Sequence, residues 1–253
     1  MPKIIAISNQ KGGVGKSVTA INLCSALNNF SKRVLLIDLD PQSDSSRGLK
    51  IDTSMLKRSI FDVLLNKCEI NKAILKTPFD NFDIIPSKLP SYSVELLATK
   101  FDNPYSLLKD KISLIKNNYD YIVIDCPPSL GILTYNALNA SDSVLIPVQC
   151  EYFALEAVSQ MIATIAIVQQ QFNPDLVIEG FLLTMFDSRN DHDQEIAKEI
   201  RSLFKENTFS SIIPRSISIP ESNKQGIPVT HFKKTSSASL AYLSLAREII
   251  DKE

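Results

Sequence analysis

The residues best suited to do chemistry in this chain are Ser8-Asn9-Gln10-Lys11-Gly12-Gly13-Val14-Gly15-Lys16-Ser17. Glycines let a backbone approach an anion and turn its N–H groups inward, and a helix that follows adds partial positive charge at its N-terminus. The chemistry is phosphate binding, with Lys16 reaching β- and γ-phosphates and the Ser17 hydroxyl meeting Mg²⁺. Gln10 stands where the strict pattern G-x-x-x-x-G-K-[ST] carries its first glycine, and a second lysine, Lys11, comes next. The chain has only 7 glycines in 253 residues, so three of them within positions 12–15 mark a dedicated turn.

Acidic residues form the second half of the pattern. Asp38 and Asp40 close the run RVLLID-LD, and Asp125 closes YIVID. A hydrophobic strand ending in Asp is common by itself, but two of them after a phosphate loop are a constellation. Asp125 takes the place of the carboxylate that holds Mg²⁺, often through a water.

The elements that must position these groups follow from the apolar pattern. Lys3–Ser8, Arg33–Asp38, Phe82–Pro86, Tyr121–Asp125, Ser143–Val148 and Leu176–Met185 read as strands, with Phe209–Ile213 a short one. Their continuous apolar runs are those of strands buried on both faces. Helical patterns cover Lys16–Phe30, Ser59–Asn66, Ile70–Leu75, Val94–Phe101, Tyr105–Asn117, Gly131–Ala140, Phe153–Phe172, Asp193–Lys205 and Ser237–Asp251. Ser43–Gly48 is polar and reads as loop. The alternation implies an α/β fold, one mostly parallel sheet with helices on both faces over residues 1–253, with ligands outside the carboxyl ends of the strands.

Composition limits the function classes. Hydrophobic residues make up 44% of the chain and the net charge is −1. A sizeable core is therefore available, and any nucleic-acid contact must rest on a local patch rather than a basic excess. Cys24, Cys68, Cys126 and Cys150 show no C-x-x-C spacing and read as reduced thiols of a cytoplasmic protein. No apolar run approaches the ~18 residues of a membrane span. The first strand opens at about Lys3, an arrangement that leaves no room for a signal peptide or an N-terminal helix-turn-helix.

The blocks KGGVGKS, LLIDLDPQ, YIVIDCPPSLG, LIPVQCEYFALEA, TMFDSR, IPRSI and AYLSLAREI, in this order, resemble the ParA/Soj branch of the deviant Walker ATPases, which share a P-loop NTPase fold with MinD. The resemblance implies ATP and Mg²⁺ as cofactors, with Gly12, Gly13, Val14, Gly15, Lys16, Ser17, Val18 and Pro214 around the nucleotide. It implies Ser17, Asp38 and Asp125 on the metal side, Lys16 and Asp40 in catalysis with Asp40 placing the attacking water, and Lys11 crossing to a partner subunit's nucleotide in an ATP-sandwich homodimer. Gly13 is expected where two backbones come too close for a Cβ. Hydrolysis is expected to be slow without a partner, because an Asp of ordinary acidity near pKa ~4 orients water better than it deprotonates it.

The resemblance further implies non-specific DNA binding by the ATP-bound dimer through Arg189 and Arg215, a ParB-like partner that stimulates hydrolysis, and a role in plasmid or chromosome partition on the nucleoid. Some positions depart from the family pattern. Val18 replaces a hydroxyl residue, Asp44 stands where relatives carry Asn, Ser218 replaces an arginine, and Pro220 replaces a serine. Lys198, Arg201, Lys205, Lys224, Lys233 and Lys234 are available cations near that surface. The competing reading, a MinD-like membrane-associated ATPase, requires a basic amphipathic C-terminal helix. Here the apolar stripe Leu240, Leu243, Ile249 and Ile250 ends in an acidic tail, which fits a helix docked on the core and no membrane partner. Asp44 reads as a solvated charge.

Overall fold

The computed structural model describes residues 2–88, 97, 99–151 and 153–252. Its strands are β1 (Lys3–Ile7), β2 (Val34–Asp38), β3 (Leu75–Lys76), β4 (Phe82–Ile85), β5 (Tyr121–Asp125), β6 (Ser143–Gln149) and β7 (Val177–Thr184). They form one sheet in the order β3-β4-β2-β5-β1-β6-β7. Every neighbouring pair is parallel except β3–β4, which closes one edge antiparallel. All five residues of β2 and of β5 are buried, as unbroken apolar runs require.

The helices are α1 (Lys16–Asn29), α2 (Asp44–Gly48), α3 (Ile60–Leu64), α4 (Leu107–Ser113), α5 (Ile132–Ala140), α6 (Ala154–Gln171), α7 (Asp191–Phe204), α8 (Ser218–Gln225), α9 (Val229–Phe232) and α10 (Ser237–Asp251). Side chains of α3 to α7 pack into one apolar core with Leu35, Ile37, Ile122 and Ile124. Side chains of α1, α9 and α10 pack into a second core with Val34, Leu36, Tyr121 and Val123, which point to the other face. Successive residues of β2 and β5 thus feed opposite faces, and the sheet is covered on both sides.

Several expectations are corrected. Ser43–Gly48 is not loop, because α2 forms there on two buried serines that bond to carboxylates of β2 and β5. The expected helix Ile70–Leu75 is a 3₁₀ turn over Ile70–Ala73 followed by β3, since Leu75 pairs with Ile84. No strand forms over Phe209–Ile213; the segment follows β7 through single backbone bonds from Phe209 to Phe181 and from Ile213 to Leu183, with isolated bridges just outside it at Thr208 and Pro214. The helix expected over Tyr105–Asn117 shortens to α4 and a 3₁₀ turn over Lys116–Asn118. The helix expected over Val94–Phe101 lies largely outside the described residues. The polar helix α8 and the single turn α9 carry no apolar period to announce them.

The C-terminal helix docks as its pattern suggests. Tyr242, Leu245, Ala246 and Ile249 are buried in the core that α1 also lines. Glu248 accepts hydrogen bonds from the Ser210 and Ser211 amides at 2.9 and 2.7 Å, so the acidic end is tied to the body of the molecule. Of the apolar stripe only Leu240 is exposed. No described helix is long and apolar enough to cross a membrane.

Candidate active site

Three adjacent carboxyl ends build the site. Ile7, the last residue of β1, lies opposite Asp125 of β5, and Asp125 lies opposite Asp38 of β2. Parallel register therefore brings the start of the glycine loop and both strand-end carboxylates into one row.

The loop is shaped by its backbone. Gly13 and Gly15 have φ of 77° and 90°, the left-handed region that only glycine enters freely. Gly15 caps α1 and has no side chain, so the cap residue itself claims none of the first-turn amides. A Cβ added at Gly12 or Gly13 would meet nothing within 4 Å. Within one chain Gly13 is thus called for by its conformation, with no atom of its own chain crowding the position. Asn9 anchors the loop at its start, donating from Nδ2 to the Pro147 carbonyl at 2.7 Å and accepting from the Lys11 amide at 3.0 Å. Thr184 anchors its middle, donating from Oγ1 to the Val14 carbonyl at 2.9 Å.

The two lysines point to different places. Lys16 is buried, and its Nζ donates to the Lys11 carbonyl at 3.1 Å. Burial lowers its pKa, against the opposing pull of Asp125, Cys126 and Asp40. Lys11 instead sends its Nζ to Glu151, 2.5 Å away in the loop after β6, and does not line the cleft above the glycines. Glu151 in turn accepts from the Gln149 side-chain amide.

The carboxylates gather at the strand ends, Asp38 and Asp125 buried and Asp40 at the edge of the cleft. Asp38 is fully buried, accepting from the Ser46 amide and hydroxyl at 2.8 and 2.6 Å. Burial, then the neighbouring Asp125, pushes its pKa well up. Asp125 is also fully buried, and burial raises its pKa to about 7 against the opposing Ser45 and Ser17 hydroxyls. Ser45 donates to Asp125 Oδ2 at 2.7 Å, while Oδ1 has no hydrogen-bond partner among the described residues. A buried carboxylate oxygen left open beside the Ser17 hydroxyl and the Lys16 ammonium suits a cation. Asp40 accepts from the Gln42 amide at 2.9 Å, and burial raises its pKa as well, so its acidity is not the ordinary one expected. Ser87 donates to the Asp40 carbonyl at 2.6 Å and from its amide to Ser46 at 3.1 Å, tying the loop after β2 to the chain after β4. Asp44 is exposed and pairs with Arg47 at 2.8 Å, and both residues border the cleft above the glycines.

These groups border a cleft of about 530 Å³ lined by Gly12, Gly13, Gly15, Lys16, Ser17 and Asp40 among others. A second, mainly apolar slot of about 250 Å³ shares Gly15, Val18 and Met185 with it and extends to Pro214 and Tyr242. Their combined size and their division into polar and apolar halves suit a nucleotide. Among the described residues no three His, Cys, Asp or Glu side chains cluster as a metal cage. A metal at this site would depend on few protein ligands and on phosphate oxygens, the habit of Mg²⁺.

A profile of the AAA domain family matches residues 2–178. The sporulation initiation inhibitor protein Soj of Bacillus subtilis is 43% identical over 249 residues, covering 98% of this chain and 98% of its own. The chromosome partitioning protein ParA of Myxococcus xanthus is 43% identical over 251 residues, covering 99% of this chain and 89% of its own. The chain belongs to the ParA/Soj family of deviant Walker ATPases. Among solved structures, cobyrinic acid a,c-diamide synthase from Mycobacterium smegmatis with bound ATP analogue and magnesium is 31% identical with a TM-score of 0.87, covering 99% of this chain and 95% of that one.

The two arginines singled out by the ParA/Soj resemblance lie on neighbouring loops past the carboxyl end of β7. The Arg215 amide donates to the Phe186 carbonyl at 3.0 Å, which sets its loop beside TMFDSR. Arg189 is 88% exposed and its guanidinium grips Asp187 at 2.9 and 2.8 Å. That contact holds the Asp187 carboxyl down to about 2, with Arg215 adding a smaller pull. Lys198, Arg201, Lys205, Lys224, Lys233 and Lys234 are all exposed. Sequence reasoning missed Ser45, Ser46, Ser87, Glu151 and Thr184. Glu151 and Thr184 lay inside recognised blocks, but nothing in their types pointed to Lys11 or to Val14.

Proposed function

We propose that this chain is a DNA-partition ATPase of the cytoplasm that binds ATP with Mg²⁺ and completes its active site by pairing with a second copy. The observation that carries this reading is the divergence of its two loop lysines. Lys16 faces the cleft, while Lys11 is held outside it, on the rim, by Glu151. A lysine on the rim of its own site is in position to serve the site of a facing subunit.

In this reading Ser17 and Asp125 would hold the metal, and Asp38 keeps the helix bearing Ser46 in register. The metal supplies charge neutralisation for the phosphates. Asp40 orients the attacking water, and its raised pKa makes it a somewhat better proton acceptor than an exposed Asp. Phosphoryl transfer asks mainly for positioning and charge, so a lysine delivered only on pairing couples turnover to assembly. The base occupies the apolar slot beside Pro214. Arg189 and Arg215 contact DNA phosphates in the paired, ATP-bound form, and a ParB-like protein on the cargo DNA accelerates hydrolysis and release. Residues 1–253 act as one ATPase domain.

The test is co-sedimentation with DNA in the presence of ATP, ADP or no nucleotide, beside liposomes of anionic lipid. Retention on DNA with ATP alone, reduced by Arg215→Ala and by added salt, is the expected result. Binding to liposomes without binding to DNA would overturn the partition reading.

A further inference from the structure

Met185 occupies an unusual backbone position. It follows β7 directly and has φ of 53°, a left-handed conformation that side chains other than glycine seldom adopt. Hydrogen bonds on both sides keep it there. Thr184 is bound to the Val14 carbonyl at 2.9 Å, and the Phe186 amide donates to the Ile213 carbonyl at 3.1 Å. The sheet end and the phosphate loop together therefore fix where the side chain goes.

That direction is over the glycine loop. A Cβ at Gly15 would stand 3.6 Å from the Met185 Cε methyl. Met185 also borders both the polar cleft above the loop and the apolar slot beside it. The other two residues shared by the cavities, Gly15 and Val18, belong to the loop and the first turn of α1. Of the three shared residues, Met185 is the one that comes from outside the loop and α1. A thioether is unbranched, polarizable and favourable against aromatic rings, which suits a contact that must meet both a sugar and a purine edge.

We propose that Met185 is a nucleotide-positioning contact that packs against the nucleoside where it joins the phosphates. The inference rests on the reading of this site as an ATP site and adds a residue that sets the triphosphate's position from the nucleoside side. Strain at Met185 is then the means by which the thioether is aimed.

Calorimetric titration of the full chain with ATP, ADP and inorganic tripolyphosphate, each with Mg²⁺, separates the contributions. Met185→Ala should weaken ATP and ADP by about tenfold while tripolyphosphate binding holds, because the loss is apolar burial and not charge. Met185→Leu, which restores apolar volume, should recover most of the affinity. If the alanine variant folds poorly by circular dichroism, Met185→Gln keeps the length and should show the same selective loss. Equal weakening of all three ligands would mean a disturbed phosphate loop and overturn the proposal, as would unchanged ATP affinity. Wild-type protein that binds tripolyphosphate but neither nucleotide would instead overturn the ATP reading on which the proposal stands.

Discussion

Replacing Asp125 by Asn in the metal-free protein should stabilise the fold at alkaline pH. The carboxyl is fully buried and its pKa stands at about 7, against an ordinary value of 3.8. The folded protein therefore holds a proton through a pH window in which the unfolded chain has lost it. Stability falls as pH rises through that window and levels off above about 7. A shift of about three units corresponds to ~4 kcal/mol once the group is ionised. Asparagine keeps an acceptor for the Ser45 hydroxyl but brings an amide N–H without an acceptor, a cost of ~1–3 kcal/mol. The net gain at pH 8 is then ~1–3 kcal/mol, and near pH 4 the variant should be the less stable protein. Urea titrations followed by circular dichroism, with EDTA present, measure the difference from pH 5 to pH 8. A difference that does not change with pH, or a variant less stable than wild type at pH 8, would refute the assignment of that buried charge to Asp125.

Two further predictions concern the glycine loop. Gly13→Ala places a Cβ in open space but at φ of 77°, so it should cost ~1–2 kcal/mol of stability in chemical denaturation without a steric clash. Glu151→Gln releases Lys11 from a half-exposed ion pair of a kind worth ~0.2–1 kcal/mol, so hydrolysis without a stimulating partner should rise by up to about fivefold. Steady-state phosphate release measures it, and a fall in that rate would show that Glu151 supports the active state and does not restrain it.

Much of this arrangement can be read from residue order because parallel strands leave continuous apolar runs. VLLID and YIVID could be buried only as central strands, and their register then forces Asp38 and Asp125 together. The helix α2 could not be read that way. Its sequence DSSRG has the composition of a loop, and it exists because Ser45 and Ser46 reach carboxylates on two other strands. The Lys11–Glu151 contact spans 140 positions and joins two loops that have no local pattern in common. The conformation of Met185 is likewise set from outside, by Val14 and Ile213. Local propensity describes none of these, since each depends on where the sheet places distant residues.

The central claim is that the loop is half of an active site. Lys11→Ala and Asp40→Ala should each be inactive alone, the first lacking the lysine that crosses and the second lacking the water-orienting carboxylate. In a mixed dimer one site combines Asp40 of the first variant with Lys11 of the second. An equimolar mixture should therefore hydrolyse ATP at about a quarter of the wild-type rate, with half the dimers mixed and one site active in each. A mixture as inactive as its components would contradict the shared site and return Lys11 to a role within its own subunit.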